Sequence, residues 1–225
     1  QKGKISKMTV DRHTMVLKSL KTIFELDTHL SFPNFCKNGN NIFIYPENAQ
    51  QGNLVLYRYF QDTETVEKVS TLIDSEIVVD AALHEIDNKF FIFATYKSNR
   101  SKNEVAVFES SSWDGKYILH KMINVEPGTA RGAGNIFTIK NKMIRPSQDC
   151  SKGYGKGIIL SELKYDGNIF SIKEKKRIYA SPNDYYNEGI HTFNVYENLV
   201  AVDGYRFKKP LLARTLNRIR DKFGI

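Results

Sequence analysis

The chain has 225 residues, of which 41% are hydrophobic and 26% are charged, a composition typical of one large globular domain or two small ones. This balance excludes a disordered or collagen-like chain, and no apolar stretch reaches the roughly 20 residues of a membrane-spanning helix. The formal net charge is +8, but residues 206–225 carry +6 of it, so the nearly neutral remainder weakens the case for nucleic-acid binding.

Along the chain, short apolar segments alternate with polar turns, and two kinds of strand pair are predicted. The outer pairs have alternating apolar positions around a polar turn, and the Asp-Gly turns of the last two are strong hairpin signals. They span residues 5–24, 54–73, 105–123 and 158–179. The inner pairs are shorter and end in a compact apolar strand, and they span residues 31–45, 80–93, 134–144 and 191–202.

This repeat has the length of a propeller blade. If the strands that begin at Ile42, Phe90, Met143 and Leu199 are equivalent, they are separated by 48, 53 and 56 residues. Four-stranded sheets of this kind bury both faces only when several of them stack radially about an axis. The fold class is therefore predicted as all-β, a five-bladed β-propeller over residues 1–205.

The first blade is predicted to be incomplete, because the outer pair at residues 5–24 has no inner pair before it. The alternative is that the inner pair at residues 191–202 joins this opening hairpin and closes a ring of four blades. The basic tail, residues 206–225, has helical periodicity, and a short helix is predicted to start at Pro210. Its charged face is either a solvated surface or a contact for an acidic partner or an anionic surface.

Several motifs occur in a fixed order: Lys-Gly-Lys-Ile-Ser at residues 2–6, His-Leu-Ser-Phe-Pro at 29–33, Tyr-Pro-Glu at 45–47, Val-Asp at 79–80, Ala-Arg at 130–131, Ile-Arg-Pro-Ser-Gln-Asp-Cys at 144–150 and Gly-Ile-His-Thr-Phe at 189–193. Together they resemble a five-bladed propeller family related to furanosidase-type glycoside hydrolases such as arabinanases, xylosidases and invertases. Similar domains form the amino-terminal part of plant glucosamine inositolphosphorylceramide transferases and occur in bacterial proteins encoded among polysaccharide-synthesis enzymes. The resemblance covers nearly the whole chain up to about Arg206.

The resemblance implies two catalytic carboxyl groups, which glycoside hydrolysis requires about 5–5.5 Å apart for retention or about 6.5–9.5 Å apart for inversion. In the related hydrolases one of them lies on an inner hairpin that precedes the Lys-Gly-Lys-Ile-Ser motif, and this sequence does not contain it. Asp80 stands where these relatives place an acidic residue and is the first catalytic candidate; the alternative is a turn-capping role. Glu47 follows an apolar run, where an ionised group must be exposed, paired or functional, and is the second candidate. Its alternative role is that of a plain turn residue.

The next acidic motif of the relatives is replaced by a segment that contains Arg131, which cannot donate a proton at neutral pH. With Arg145, it indicates either an anionic ligand or a salt-bridged carboxylate. Gln148 and Asp149 offer donors and acceptors for sugar hydroxyl groups, and Tyr154 offers a ring face for stacking. Packing between neighbouring blades is the alternative for these residues.

Glu188, His191 and Asp203 complete the predicted substrate-binding set, with structural roles as their alternatives. The sequence contains no motif for a metal site, a dinucleotide cofactor, a phosphate-binding loop or a nucleophilic serine, so no metal or cofactor is expected. The two cysteines allow at most one bridge and are predicted to be separate buried thiols.

These features predict a glycoside-hydrolase-like propeller that acts on a glycan or sugar conjugate through acidic residues in a central funnel. The alternative is a non-catalytic carbohydrate-binding propeller that serves polysaccharide or glycoconjugate synthesis, and the altered motif at Arg131 favours it. The expected partner is a carbohydrate or sugar-phosphate ligand, and no nucleic-acid partner is expected. The sequence leaves the compartment open, with the cytoplasm preferred.

Overall fold

The computed structural model describes residues 2–74, 76–99 and 103–207. In chain order the strands are β1 (Ile5–Val10), β2 (Leu17–Phe24), β3 (Ser31–Asn38), β4 (Asn41–Glu47), β5 (Leu54–Phe60), β6 (Thr65–Ile73), β7 (Val78–Ile86), β8 (Lys89–Tyr96), β9 (Glu104–Ser110), β10 (Ile118–Asn124), β11 (Phe137–Ile139), β12 (Lys142–Asp149), β13 (Gly157–Tyr165), β14 (Phe170–Tyr179), β15 (Phe193–Tyr196) and β16 (Leu199–Val202). Helix in the described ranges is confined to one 3-10 turn, Lys97–Asn99, and no described helix is long and apolar enough to cross a membrane.

The strands pair antiparallel with their chain neighbours and form five sheets. Three sheets contain four strands in chain order, β3–β6, β7–β10 and β11–β14, and two sheets contain two strands, β1–β2 and β15–β16. The all-β prediction and the predicted hairpins are confirmed. Strands β4, β8, β12 and β16 each begin within one residue of the positions expected from the repeat.

The opening and closing hairpins, β1–β2 and β15–β16, form separate sheets, so the joined sheet of the four-bladed alternative is not present among the described strands. Their turns are nevertheless in contact, because the Arg12 guanidinium donates to Glu197 at 2.8 Å and to Asn198 at 3.0 Å. The helix predicted to start at Pro210 lies outside the described residues. Cys36 and Cys150 are free thiols, as predicted, but each is only partly buried.

Strand β8 shows why the hydrophobic core lies between neighbouring sheets. Its side chains alternate in direction, so that Ile92 joins the cluster shared with the sheet β3–β6, whereas Phe91 and Phe93 join the cluster shared with the sheet β11–β14. In the second cluster, the Phe170 ring meets the Phe91 ring edge-on at 5.1 Å between centroids. Because both faces are covered, the strand is apolar along most of its length.

Strands β3 and β7, each at one edge of its sheet, are interrupted at the same point of the repeat. The register of β3 shifts between Ser31 and Asn34, and that of β7 shifts between Val79 and Ala82. The bulges place Phe32 at φ +44° and Asp80 at φ +54°. A left-handed backbone costs a residue with a Cβ about 1–2 kcal/mol, although Asp adopts it more readily than most. Bulges of this kind bend the strand and locally interrupt its pairing.

We expect Phe91→Ala to lower the free energy of unfolding by about 3–5 kcal/mol, because the fully buried ring would leave a cavity between two sheets. Urea denaturation followed by tyrosine and tryptophan fluorescence measures this change. Phe35→Ala is the matched control, since the Phe35 ring is 45% exposed, and its cost should stay below about 1 kcal/mol. Equal losses in the two variants would contradict the assignment of the core.

Candidate functional site

A cleft of about 890 Å³ collects six of the ten predicted site residues. Its walls include Glu47, Asp80, Arg131, Gln148, Tyr154 and His191. The other four predicted residues, Arg145, Asp149, Glu188 and Asp203, lie behind the cleft wall or outside it. The two groups have different partners and are described in turn.

The repeat explains why residues far apart in sequence meet in this cleft. Glu47, Thr95 and Gln148 each lie six residues after the first residue of β4, β8 and β12. The backbone of each residue contacts the beginning of the preceding strand or segment. Glu47 pairs with Ser31, Thr95 pairs with Val79, and the backbone amide of Gln148 donates to the Arg131 carbonyl at 2.9 Å. Equivalent positions therefore present their side chains at the same end of each sheet.

An ion pair between Asp80 and Arg131 forms part of the cleft wall. Arg131 Nε donates to Asp80 Oδ2 at 2.6 Å and Arg131 Nη2 donates to Asp80 Oδ1 at 2.9 Å, and the Asp80 side chain is 2% exposed. Burial alone disfavours the charged guanidinium, but the hydrogen bonds and the attraction to Asp80 outweigh it and raise the pKa of Arg131 above its usual range. The pair is therefore a carboxylate and a guanidinium with two parallel hydrogen bonds.

The backbone around this pair leaves no spare room. A Cβ added to Gly132 would lie 2.6 Å from the Asp80 carbonyl oxygen, closer than real Cβ contacts come. The segment after Arg131 can thus pass β7 only because residue 132 is glycine. Two backbone features allow the Asp80 carboxylate and the Arg131 guanidinium to face each other. They are the left-handed backbone of Asp80 and the absence of a side chain at Gly132.

Gln148 and Arg145 hold the segment that carries Arg131. The Gln148 side-chain amide donates to the Gly132 carbonyl at 2.8 Å, and Arg145 Nη2 donates to the Ala130 carbonyl. Arg145 is 3% exposed, and burial lowers its pKa to about 10, while the charge of Asp80 acts in the opposite direction. Its Nη1 has no hydrogen-bond partner among the described residues. Arg145 therefore lies behind the cleft wall, whereas Gln148 reaches the cleft surface.

Tyr154 and His191 form an aromatic part of the cleft wall. The Tyr154 ring is 56% exposed and lies 4.9 Å from the Arg131 guanidinium carbon, within the range of a cation–π contact. The His191 ring meets it edge-on at 5.5 Å between centroids. The buried ion pair thus holds the exposed Tyr154 ring beside the His191 ring.

Asp203 orients His191 from outside the cleft. Its Oδ1 accepts hydrogen bonds from the backbone amides of His191 and Thr192 at 2.8 and 2.7 Å, and its Oδ2 contacts His191 Nδ1. Partial burial would raise the pKa of Asp203, but these interactions prevail and lower it to about 2. Because Nδ1 faces Asp203, Nε2 is the ring nitrogen left for a ligand.

Asp149 and Glu188 are directed away from the cleft. Asp149 accepts hydrogen bonds from Ser151, from Arg177 at 3.0 Å and from Tyr179 at 2.7 Å, which connect the end of β12 to β14. Partial desolvation would raise the pKa of Asp149, but these hydrogen bonds lower it. Glu188 pairs with Lys156 at 3.5 Å. Neither carboxylate lines the cleft, and both form ion pairs that support the scaffold.

The cleft also contains residues that were not among the predicted site residues. His29 accepts a hydrogen bond at Nδ1 from the Gly3 amide at 2.9 Å, and its own amide donates to Gln50 Oε1 at 2.7 Å. Lys97 and Phe32 line the same space. His29 and Phe32 belong to the His-Leu-Ser-Phe-Pro motif, which could have identified them from the sequence. Gln50 and Lys97 follow strands and belong to no motif, so only the fold reveals their position in the cleft.

Chemically, the cleft offers hydrogen-bond donors and acceptors beside exposed ring faces, a combination that suits a ligand rich in hydroxyl groups. Both carboxylate oxygens of Asp80 already accept hydrogen bonds from the Arg131 guanidinium. Glu47 is the second carboxyl group of the cleft. Within the described ranges, no three His, Cys, Asp or Glu side chains are arranged to hold a metal ion.

A family model for the amino-terminal part of glucosamine inositolphosphorylceramide transferase 1 matches residues 1–178. The chain belongs to this family. The transferase from Oryza sativa subsp. japonica is 32% identical over 145 residues, and that from Arabidopsis thaliana is 30% identical over the same length. Each match covers 60% of this chain and 19% of the relative, so the chain spans about a fifth of the curated relatives it matches.

Solved structures place this transferase-family domain in a known fold. An exo-β-1,3-galactanase from Phanerochaete chrysosporium, solved with galactose, has a TM-score of 0.58 and 12% identity over 80% of this chain and 46% of its own. A family-43 glycoside hydrolase from Xanthomonas citri, solved with xylotriose, has a TM-score of 0.57 and 8% identity over 79% of this chain and 67% of its own. These are five-bladed propeller enzymes, so the predicted relationship to furanosidase-type hydrolases is confirmed at the level of fold.

We expect Arg131→Ala to lower the free energy of unfolding by about 3–5 kcal/mol, because it leaves the Asp80 carboxylate buried without its main partner. Chemical denaturation measures the loss. Arg12→Ala is the control, because the Arg12–Glu197 pair is solvent-exposed and should contribute less than about 1 kcal/mol. A loss below 1 kcal/mol for Arg131→Ala would show that the buried pair does not hold this part of the fold together.

Asp203 should contribute to stability in a pH-dependent way. Its pKa is lowered to about 2 in the folded chain, so its contribution is present above the ordinary carboxyl pKa near 4 and is lost as pH falls toward 2. We therefore expect Asp203→Asn to be less stable than the wild type at pH 6 and to approach it between pH 4 and pH 2. Thermal unfolding across this range measures the difference, and Asp27→Asn, at a fully exposed carboxylate, should run parallel to the wild type. A constant difference between Asp203→Asn and the wild type would count against this role.

Proposed function

We propose that this domain binds a glycan or sugar conjugate in its cleft without hydrolysing it. The observation that carries the proposal is the paired hydrogen bonds of Arg131 to Asp80. A glycosidase needs one carboxyl group that is protonated and one that is ionised. Asp80 has both oxygens engaged by the guanidinium, and Arg131 occupies the segment in which the resemblance to the hydrolases would place the acid.

The rest of the cleft supports recognition of a sugar. The exposed Tyr154 ring offers an apolar face for the C–H groups of a sugar ring, and Nε2 of His191 is left to hydrogen-bond a hydroxyl group. Glu47 adds hydrogen-bond acceptors, while His29 and Lys97 add donors. This mixture of hydrogen-bond donors, hydrogen-bond acceptors and an apolar ring face fits a carbohydrate or a sugar phosphate.

The proposed architecture is a five-bladed propeller over residues 1–205 in which the first blade is incomplete. Three complete four-stranded sheets account for three blades, and the hairpins β1–β2 and β15–β16 are parts of two more. Residues 206–225 form a separate basic tail in this proposal, and the tail is the candidate contact with an anionic surface.

The biological setting proposed for the domain is glycoconjugate or polysaccharide assembly. The curated relatives are glucosamine inositolphosphorylceramide transferases, and the chain matches about a fifth of their length. An accessory domain that holds a sugar-containing acceptor or product would serve such an enzyme. A hydrolase-like fold is compatible with this task, because the fungal and bacterial neighbours were solved with galactose and xylotriose.

Glycoside hydrolysis is the second candidate function, because Glu47 and Asp80 line the same cleft. In that case Glu47 would be the proton donor and Asp80 the ionised partner. Incubation of the protein with xylotriose and β-1,3-galactotriose, followed by measurement of new reducing ends, separates the two functions. Release of reducing ends that is abolished in Glu47→Gln would establish the hydrolase and overturn our proposal.

We expect the wild-type protein to bind at least one ligand among β-1,3-galactotriose, xylotriose and a glucosaminyl inositol phosphate, with no new reducing ends. Tyr154→Ala should weaken this binding about tenfold, since it removes a stacking surface in the cleft. Isothermal titration calorimetry measures the affinities. Tyr196→Ala is the matched control, because the Tyr196 ring is 53% exposed but lies outside the cleft. Lack of binding to every ligand of this panel would refute the proposal.

A further inference from the structure

Phe32 occupies a backbone position that a bulky residue normally avoids. It lies in the bulge of β3 with a φ of +44°, in the left-handed region that favours Gly, Asn and Asp. The equivalent position of the next sheet, 48 residues later, is Asp80 at φ +54°. At Asp80 the residue type suits the conformation, whereas at Phe32 it does not.

The surrounding structure enforces this conformation. On one side, Leu30 is almost fully buried and its amide donates to the Gly3 carbonyl at 3.2 Å. On the other side, the buried Asn34 side chain donates to the Ala81 carbonyl at 2.6 Å. Both flanks of the bulge are thus fixed by neighbouring segments, which is the situation in which a strained residue persists.

Core packing does not account for the aromatic residue. Phe32 is half-buried, and in the described part of the chain it packs against none of the four clusters of buried hydrophobic residues. Its side chain instead lines the cleft that also contains Tyr154 and His191. A residue that is strained, outside the core and directed into a cleft is retained for what it contacts there.

We infer that Phe32 is a stacking platform for a sugar ring, held in the cleft at the expense of backbone strain. The inference rests on the proposed function and deepens it, because a flat aromatic face selects ligands that present a C–H-rich ring face. Together with Tyr154, it gives the cleft a second aromatic surface, so the ligand is a saccharide with at least one ring whose hydroxyl groups leave one face open.

The test compares two substitutions at Phe32 with one on the same strand. Phe32→Asn removes the ring and introduces a residue that tolerates a left-handed backbone, whereas Phe32→Tyr keeps the ring and the strain. Phe35→Asn is the control, since the Phe35 ring is exposed, lies outside the cleft and has no left-handed backbone. Affinity is measured by calorimetry with whichever of β-1,3-galactotriose, xylotriose and glucosaminyl inositol phosphate binds the wild type, and Tm by differential scanning calorimetry.

The expected result is that Phe32→Asn loses about tenfold or more in affinity while its Tm is equal to or above that of the wild type. Phe32→Tyr and Phe35→Asn should keep the wild-type affinity. A lower Tm for Phe32→Asn would overturn the inference, because the ring would then be a packing residue, and so would an unchanged affinity. If the wild type binds none of the three ligands, the proposed function itself fails, which distinguishes that outcome from a failure of the role of Phe32.

Discussion

The buried ion pair between Asp80 and Arg131 is the interaction on which the cleft depends. It connects β7 of one sheet to the segment that leads into the next sheet, and both charged groups are withdrawn from water. Such a pair tolerates the loss of neither partner, because the remaining charge would be buried without compensation. Gly132, Gln148 and Arg145 surround the pair or hold the segment that carries Arg131.

The same pair is the basis of the proposed difference between this cleft and that of a hydrolase with a similar fold. The likeness to the family-43 enzymes concerns backbone arrangement, and a fold hosts many chemistries. The Arg131 guanidinium donates hydrogen bonds to both oxygens of Asp80, the only strongly buried carboxylate that lines the described cleft. The proposed stacking role of the Tyr154 ring needs no titratable group, and the ring lies beside the Arg131 guanidinium. In the proposed function, arginine at position 131 accounts for sugar binding without hydrolysis.

Much of the fold was predictable from sequence because its signals are local. Alternating apolar positions and Asp-Gly turns specify hairpins over a few residues, and the repeat then locates β4, β8, β12 and β16. The site was predictable in part. The sequence left two explanations for Arg131, an anionic ligand or a salt-bridged carboxylate, and the structure provides the carboxylate in Asp80.

The remaining site residues depended on information that the motifs do not contain. Gln148 and Asp149 are adjacent in one dense polar motif, but successive side chains of a strand point to opposite faces. Gln148 consequently reaches the cleft, while Asp149 meets Arg177 and Tyr179 on the other side. The sequence predicts site residues on this strand without showing which face lines the cleft. Lys97 follows β8 in a 3-10 turn, and its position in the cleft results from how the sheets are arranged.

The bulges of β3 and β7 show that the same backbone conformation can position two chemically different side chains. In both strands the register shift opens the beginning of the strand and places a left-handed residue at the cleft. In β7 the residue is Asp80, whose short side chain turns inward to the guanidinium. In β3 the equivalent residue is Phe32, whose long apolar side chain faces the cleft. Because both positions have the same backbone conformation, the side chain alone determines what each contributes to the cleft. Asp80 suits this conformation, whereas Phe32 suits it poorly, so the presence of Phe32 requires an explanation outside the fold.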